Sequence, residues 1–370
     1  MDQVMGVINL GNEFNTLNEL TKNRCCASIP FGGRYRLIDF VLSNMVNSGI
    51  QDVAVFALEN YRSLMDHLGT GKEWDLARKR GGLFILPPAL DIADGGFKGD
   101  LQNFVSHLDY FHRGSQKYVL ITGSNILCNI DYRQPFLFHQ NVGADITVLY
   151  KQVQSQVGYT KCRQMEVRDD GWIESIEECP GTKDTGSVSM EMYIIEKSLL
   201  IDIIQSCVSR GKYEFVTDGI IKNLPKLKVY GYEHLGYTAA VHTVRDYYVN
   251  SMNLLKPEVW KDLFFQRSLI YTKVKDEPPA KYAASSKVEN SLVANGCVIE
   301  GTVENSILFR GVTVKKGAYI KDSIVMQHSV IKENARLENV IIDKDVSLTG
   351  GRTLFGDTDT PLVIPKRKVM

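Results

Sequence analysis

The sequence has no surplus charge of either sign: 43 basic side chains meet 43 acidic ones over 370 residues. Nucleic acid is held by concentrated positive surface, so a nucleic-acid partner is not expected. Long apolar runs are missing too. Nothing approaches the roughly 18–20 residues that cross a bilayer, and residues 1–9 have neither a basic flank nor a signal-peptide core. No membrane association is expected, and the cytoplasm is the expected compartment. The seven cysteines, Cys25, Cys26, Cys128, Cys162, Cys179, Cys207 and Cys297, are odd in number and form no C-x-x-C pair. That excludes a small secreted disulfide framework and reads as reduced thiols. Seven scattered histidines, with neither H-E-x-x-H nor paired spacing, argue against a histidine zinc site.

What is present is an ordinary globular composition, 44% hydrophobic and 23% charged, at a length that implies roughly two domains. Short apolar runs at residues 4–8, 52–57, 118–122, 145–150 and 190–194 read as buried strands. Alternating with helical patterns, they imply an α/β domain with a mostly parallel sheet. Ligands then belong outside the carboxyl ends of strands, after Ile8 and after Thr122. Residues 243–255 carry helical spacing and lead out of this domain.

After Pro278-Pro279 a loose repeat begins: Ser291-Leu-Val-Ala-Asn-Gly, Ser306-Ile-Leu-Phe-Arg-Gly, Ser323-Ile-Val-Met-Gln-His and Asn339-Val-Ile-Ile-Asp-Lys. The starts are 15, 17 and 16 residues apart, and Val298, Val314, Val330 and Val346 recur within the units. Apolar triplets between turn residues at this period favour a parallel β-helix of hexapeptide-like repeats over a β-sandwich of short strands. The exposed faces of such a solenoid suit subunit packing. The expected domains are 1–242, a linker at 243–279 and the solenoid at 280–370.

The segment Pro30-Phe-Gly-Gly-Arg-Tyr-Arg-Leu-Ile-Asp39-Phe, followed by Leu42-Ser-Asn44 and Asn47-Ser-Gly-Ile50, resembles the signature of the glucose-1-phosphate adenylyltransferase (ADP-glucose pyrophosphorylase) family. Tyr61-Arg-Ser63-Leu64, His67-Leu68, Glu73-Trp74, Ser189-Met190, Gly236-Tyr237 and residues 247–255 extend the resemblance over nearly the whole chain. It implies a Rossmann-like nucleotidyltransferase domain followed by a left-handed parallel β-helix.

The resemblance also shows what has been lost. The family's phosphate-cradling loop G-G-x-G-T-R corresponds to Gly11-Asn12-Glu13-Phe14-Asn15-Thr16. Glycine lets backbone approach a phosphate, whereas Phe14 fills space and Thr16 lacks the guanidinium of a bidentate contact. The R-A-K-P lysine is Cys26, and the lysine of the E-K-P sugar-phosphate contact is Cys179, between Glu178 and Pro180; Ser189 lines the same expected pocket. The magnesium aspartates of G-D-H and D-V-G-T are Ser124 and Ala240. Magnesium needs oxygen donors, usually carboxylates, and losing one preorganised contact raises a barrier by about 3–4 kcal/mol. No catalytic residue and no metal site is therefore expected here, with magnesium confined to a catalytic partner. Two rivals stay open: an active enzyme in which Asp100, Asp131 or Asp246 rebuilds the metal site, or a module that senses a sugar nucleotide. His242, where the family has glycine, reads as a pocket-filling residue rather than a replacement base.

Arginines Arg24, Arg34 and Arg36, with Lys366 and Arg367, remain as candidate ligands for a phosphorylated metabolite effector at the domain cleft. The resemblance is to the family's regulatory D-type subunit in glycogen biosynthesis. That implies assembly with a catalytic homologue into a heterotetramer, or a homo-oligomer when alone.

Overall fold

A computed structural model describes residues 1–11, 17–88, 96–153, 162–178 and 186–370. Leaving two-residue strands unlabelled, the first half contributes β1 (Val4–Asn9), β2 (Asp52–Phe56), β3 (Gly82–Leu86), β4 (Tyr118–Thr122), β5 (Ile126–Cys128), β6 (Ile146–Val153), β7 (Arg163–Val167), β8 (Ile173–Glu178), β9 (Gly186–Glu196), β10 (Val229–Glu233) and β11 (Thr238–Ala240). The main sheet runs β3-β2-β1-β4-β9-β6-β10, with β7 and β8 continuing from the first half of β9. Strands β1 to β4 are parallel, and β9 enters antiparallel. β1 is buried along its whole length. Val4 and Ile8 pack into one core and Met5 and Val7 into another on the opposite face, as alternation in a doubly covered sheet requires. The five expected strands all form; β9 runs well beyond residues 190–194 because a bulge at Ser189–Met192 carries the chain from one set of partners to the next.

The signature motif is a structural hub. Pro30–Phe31 and Tyr35–Arg36 form a short hairpin, turned by Gly32 and Gly33 at φ 57° and 81°, a region that favours glycine. Helix α1 (Leu37–Asn47) follows, and its Asn44 donates to Cys128 O at 2.9 Å and accepts from Ile130 N at 3.2 Å, pinning β5. Further helices used below are α2 (Arg62–Leu68), α3 (Asp100–Ser106), α4 (Val244–Asn253) and α5 (Pro257–Phe264). Thr243 caps α4 by accepting from Asp246 N at 3.0 Å.

From Lys281 onward the chain winds into three parallel five-stranded sheets, the faces of a β-helix rather than a sandwich. Asn290, Asn305, Asp322 and Asn339 stack at one corner with φ between 40° and 54°, the left-handed region that Asn and Asp tolerate. Beside them Ser291, Ser306 and Ser323 form a ladder, each hydroxyl accepting from the backbone N–H of the next coil at 3.1–3.2 Å. One β-helix face is shared with the first domain: Ile307, Ile324 and Ile341 enter the same core as Phe31, Phe40, Tyr247 and Phe264. Tyr247 Oη donates to Pro30 O at 2.8 Å and Tyr248 Oη to Asp322 O at 2.6 Å, so α4 bridges hairpin and β-helix. No helix among the described residues is long and apolar enough to cross a membrane.

Candidate functional site

The carboxyl end of β1 is where the nucleotide cradle is expected. Gly11 N donates to the Asn9 side-chain carbonyl at 3.0 Å, and Asn9 Nδ2 donates to Asp100 Oδ2 at 2.9 Å. Asp100, fully buried at the start of α3, also accepts Phe215 N at 2.7 Å. Burial pushes its carboxyl up to about 7, against the pull of Phe215 N and Asn9, with Glu214 adding to the rise. A backbone donor suited to phosphate is thus taken up internally, and a side chain at Gly11 would come within 3.1 Å of both Asn9 Oδ1 and the Phe97 ring. Asn12, Phe14 and Thr16 lie outside the described residues. Cys26 is buried in a core with Leu17, Leu20 and Phe31, in an apolar setting instead of beside a phosphate.

Ser124 and Ala240 lie on neighbouring segments. β5 and β11 pair antiparallel with Ala240 opposite Ile126, and Val241 N donates to Asn125 O at 2.8 Å. Both residues are buried. A neutral hydroxyl and a methyl do not fit a magnesium ion, which takes carboxylate oxygens. Beside them Asn125 Nδ2 lies 2.6 Å from His242 Nε2, a local hydrogen bond to a buried imidazole. The carboxylates that could have rebuilt the site are dispersed. Asp100 bonds Asn9 and Phe215, Asp131 holds Arg133 at 2.7 Å, and Asp246 accepts His242 N and Thr243 N at 3.2 and 3.0 Å. Among the described residues no three His, Cys, Asp or Glu side chains gather as a metal site would require.

In the sugar-phosphate-like region, Glu178 pairs across β7–β8 with Arg163, and Ser189 sits at the β9 bulge, accepting Glu191 N at 3.1 Å. Cys179 lies outside the described residues. Sequence reasoning missed the neighbouring lock: Glu191, at φ 54°, accepts from Arg163 at 2.6 Å and from Tyr193 at 2.9 Å. Burial alone would lower the Arg163 pKa, but Glu191 outweighs it and raises it. Cysteine chemistry departs from expectation here: Cys162 is disulfide-bonded, whereas Cys25, Cys26, Cys128, Cys207 and Cys297 are free thiols.

The retained cations fare differently. Arg24, 3% exposed, pairs through Nη2 with Asp343 of the β-helix, itself 1% exposed, at 2.5 Å. Its Nη1 is buried without a partner among the described residues. Arg36 Nη1 donates to Ser63 O at 2.7 Å, and its backbone N–H to Asp39 Oδ2 at 2.9 Å. Asp39 Oδ1 lies 2.6 Å from His67 Nε2 on α2, where burial lowers the imidazole pKa despite the carboxylate. Lys366 lies beside Asp345 at 3.9 Å. Between these groups stands Lys344, which sequence reasoning passed over. Burial, then the charges of Arg36 and Arg24, lowers its ammonium to about 6; Asp343 opposes and Lys366 adds to the fall. The signal was present, because Lys344-Asp345 occupies the corner that Asn295-Gly296 and Arg310-Gly311 occupy in earlier coils. Arg34 is turned aside, donating to Tyr35 Oη at 2.8 Å and bearing on Arg310, and Arg367 is 77% exposed. The structure therefore gathers Arg24, Arg36 and Lys366 around Lys344 and leaves Arg34 and Arg367 outside.

Comparison with known proteins agrees with this architecture. Residues 11–277 match the nucleotidyl transferase family, and residues 278–360 match the GlmU-like C-terminal hexapeptide family. The hexapeptide match identifies the three-sheet prism as a left-handed β-helix. The chain is 43% identical to the glycogen biosynthesis protein GlgD of Bacillus subtilis, over 99% of this chain and 96% of that protein. It is 42% identical to GlgD of Geobacillus stearothermophilus over 86% and 83% of the two chains. Glucose-1-phosphate adenylyltransferase of Bacillus mycoides is 31% identical over 92% of each chain.

Proposed function

Because the chain belongs to the glucose-1-phosphate adenylyltransferase family of nucleotidyl transferases and stands beside its GlgD members, we propose that it is a non-catalytic regulatory subunit in glycogen biosynthesis. It assembles with a catalytic homologue into a heterotetramer and modulates synthesis of ADP-glucose from ATP and glucose 1-phosphate. The observation that carries this reading is the pair Ser124 and Ala240, buried on adjoining segments. Nucleotidyl transfer depends on metal and cationic stabilisation of the transferred phosphoryl group, and those positions supply neither carboxylate. The internal bond from Gly11 N to Asn9 supports the same reading. Magnesium belongs to the catalytic homologue.

Regulation enters through the cations between the two domains. An anionic, phosphorylated sugar intermediate lodges against Arg24, Arg36, Lys344 and Lys366, where Arg24 Nη1 has a donor to offer. Such a ligand acts by favouring one arrangement of the assembly. Family resemblance favours stimulation of the catalytic homologue.

The test is ADP-glucose formation with magnesium by this chain alone, by a catalytic homologue alone, and by the two co-expressed. The expected result is background turnover from the chain alone and a changed rate or effector response in the mixture. Substantial turnover by the chain alone overturns the reading. Unchanged effector response after Arg24→Ala and Arg36→Ala overturns the effector site.

A further inference from the structure

We propose that anion binding at the interdomain cluster is coupled to the uptake of one proton by Lys344. The inference rests on the effector-site reading above and adds its regulation by pH.

The cluster holds more positive charge than it can neutralise. Arg24 and Arg36 come from the first domain, Lys344 from the β-helix loop and Lys366 from the segment beyond it. Facing them, Asp343 is already committed, through Oδ2 to Arg24 and through Oδ1 to the backbone N–H of Lys344 at 2.7 Å. Asp345 leans toward Lys366 and Arg367, both at 3.9 Å. Behind Arg36, Asp39 is shared between the Arg36 backbone and His67. Arginines hold their charge at any working pH, whereas a lysine placed among them sheds its proton. With Lys344 lowered to about 6, the anion-free chain carries it largely as the neutral amine above neutral pH.

An anion seated at Arg24 Nη1 reverses that balance. Its negative charge faces the Lys344 amine and restores the preference for the ammonium form. The amine lone pair takes a proton from water or buffer, turning a group with two N–H bonds into an ammonium with three N–H donors for the ligand. Binding is then the addition of one anion and one proton together, and affinity falls as pH rises.

Sulfate is the probe, since it stays dianionic across the range and contributes no proton of its own. Titration calorimetry of the full chain at pH 7.5, in two buffers of different ionisation enthalpy, reads proton uptake directly. The expected result is uptake approaching one proton per bound sulfate, with affinity falling on the order of tenfold per pH unit between pH 6.5 and 8.5. Lys344→Arg binds sulfate with equal heats in both buffers and a flat pH profile. Lys344→Met binds more weakly, also without uptake. Binding with no uptake by the unaltered chain, or uptake that survives in Lys344→Arg, overturns the inference alone and in the second case points to His67. Absence of sulfate binding overturns it together with the effector-site reading beneath it.

Discussion

Replacing Asp343 by Asn removes one charge from the junction of the two domains while keeping the shape of the side chain. Arg24 and Asp343 are 3% and 1% exposed and meet at 2.5 Å, so neither is bathed in solvent that could stand in for the other. The amide oxygen still accepts Lys344 N, and what disappears is the counter-charge for Arg24. Breaking a buried pair by removing one partner costs about 3–5 kcal/mol. Here the stranded guanidinium also faces Arg36 and Lys344, which places the expected loss toward the upper part of that range. Equilibrium unfolding in urea, followed by circular dichroism, measures it. Arg24→Met combined with Asp343→Asn leaves no uncompensated charge and is expected to be more stable than Asp343→Asn alone. Sulfate is expected to stabilise Asp343→Asn more than the unaltered chain, because it supplies the missing negative charge. A loss below about 1 kcal/mol, the size of a solvent-screened pair, or a double variant no better than the single one, would refute the reasoning.

Asp100 gives the chain a pH signature. Its folded-state pKa is raised to about 7 from 3.8, so between those values the native chain binds more protons than the unfolded one and stability declines as pH rises. The stability difference between the unaltered chain and Asp100→Asn is expected to shrink or reverse by on the order of 4 kcal/mol from pH 4 to pH 8, and a difference that is flat with pH contradicts the burial argument. In the β-helix, Ser323→Ala strips the acceptor from Val340 N and the donor from Lys321 O. Leaving a buried N–H unpaired costs roughly 1–3 kcal/mol, measurable as a lowered urea midpoint, and a neutral result would mean that the ladder is dispensable.

The central strands were legible because a parallel strand covered on both faces must be apolar throughout, as Val4 to Ile8 and Tyr118 to Thr122 are. The strands that escaped notice, β3, β7, β8 and β10, lie toward the margins of the sheet. There one face meets solvent, and Ile173–Glu178 carries its two isoleucines three residues apart across a register shift, so no period of two stands out. The positions Ser124 and Ala240, expected to have lost metal ligands, were named from the family resemblance, and the structure sets them on neighbouring segments. The cluster of cations could be read only in part. Arg36 lies within the signature and Arg24 shortly before it, but Lys344 is some 320 residues from Arg24 in sequence, and only winding of the β-helix sets it beside them. Arg34 shows the converse: closeness in sequence to Arg36 says little when Arg34 lies in the turn of the hairpin and its guanidinium folds back onto Tyr35.

The corner column of Asn290, Asn305, Asp322 and Asn339, with its serine ladder, works as an indexing mechanism, like the teeth of a ratchet. Each coil is registered on its neighbour by residues that must recur at one angular position. The column holds although the steps from Asn290 to Asn305 and from Asn305 to Asp322 differ in length, so turns absorb added residues, whereas a slip within a strand would throw every later tooth out of phase, including the loop that presents Asp343 and Lys344 to Arg24. Addition or removal of a whole coil would preserve the phase but displace that loop along the axis by a full step. The β-helix thus has two separate tolerances, a loose one for its own folding and a strict one for its length. The strict one is set by what the β-helix must meet on the other domain, the Arg24–Asp343 pair among them.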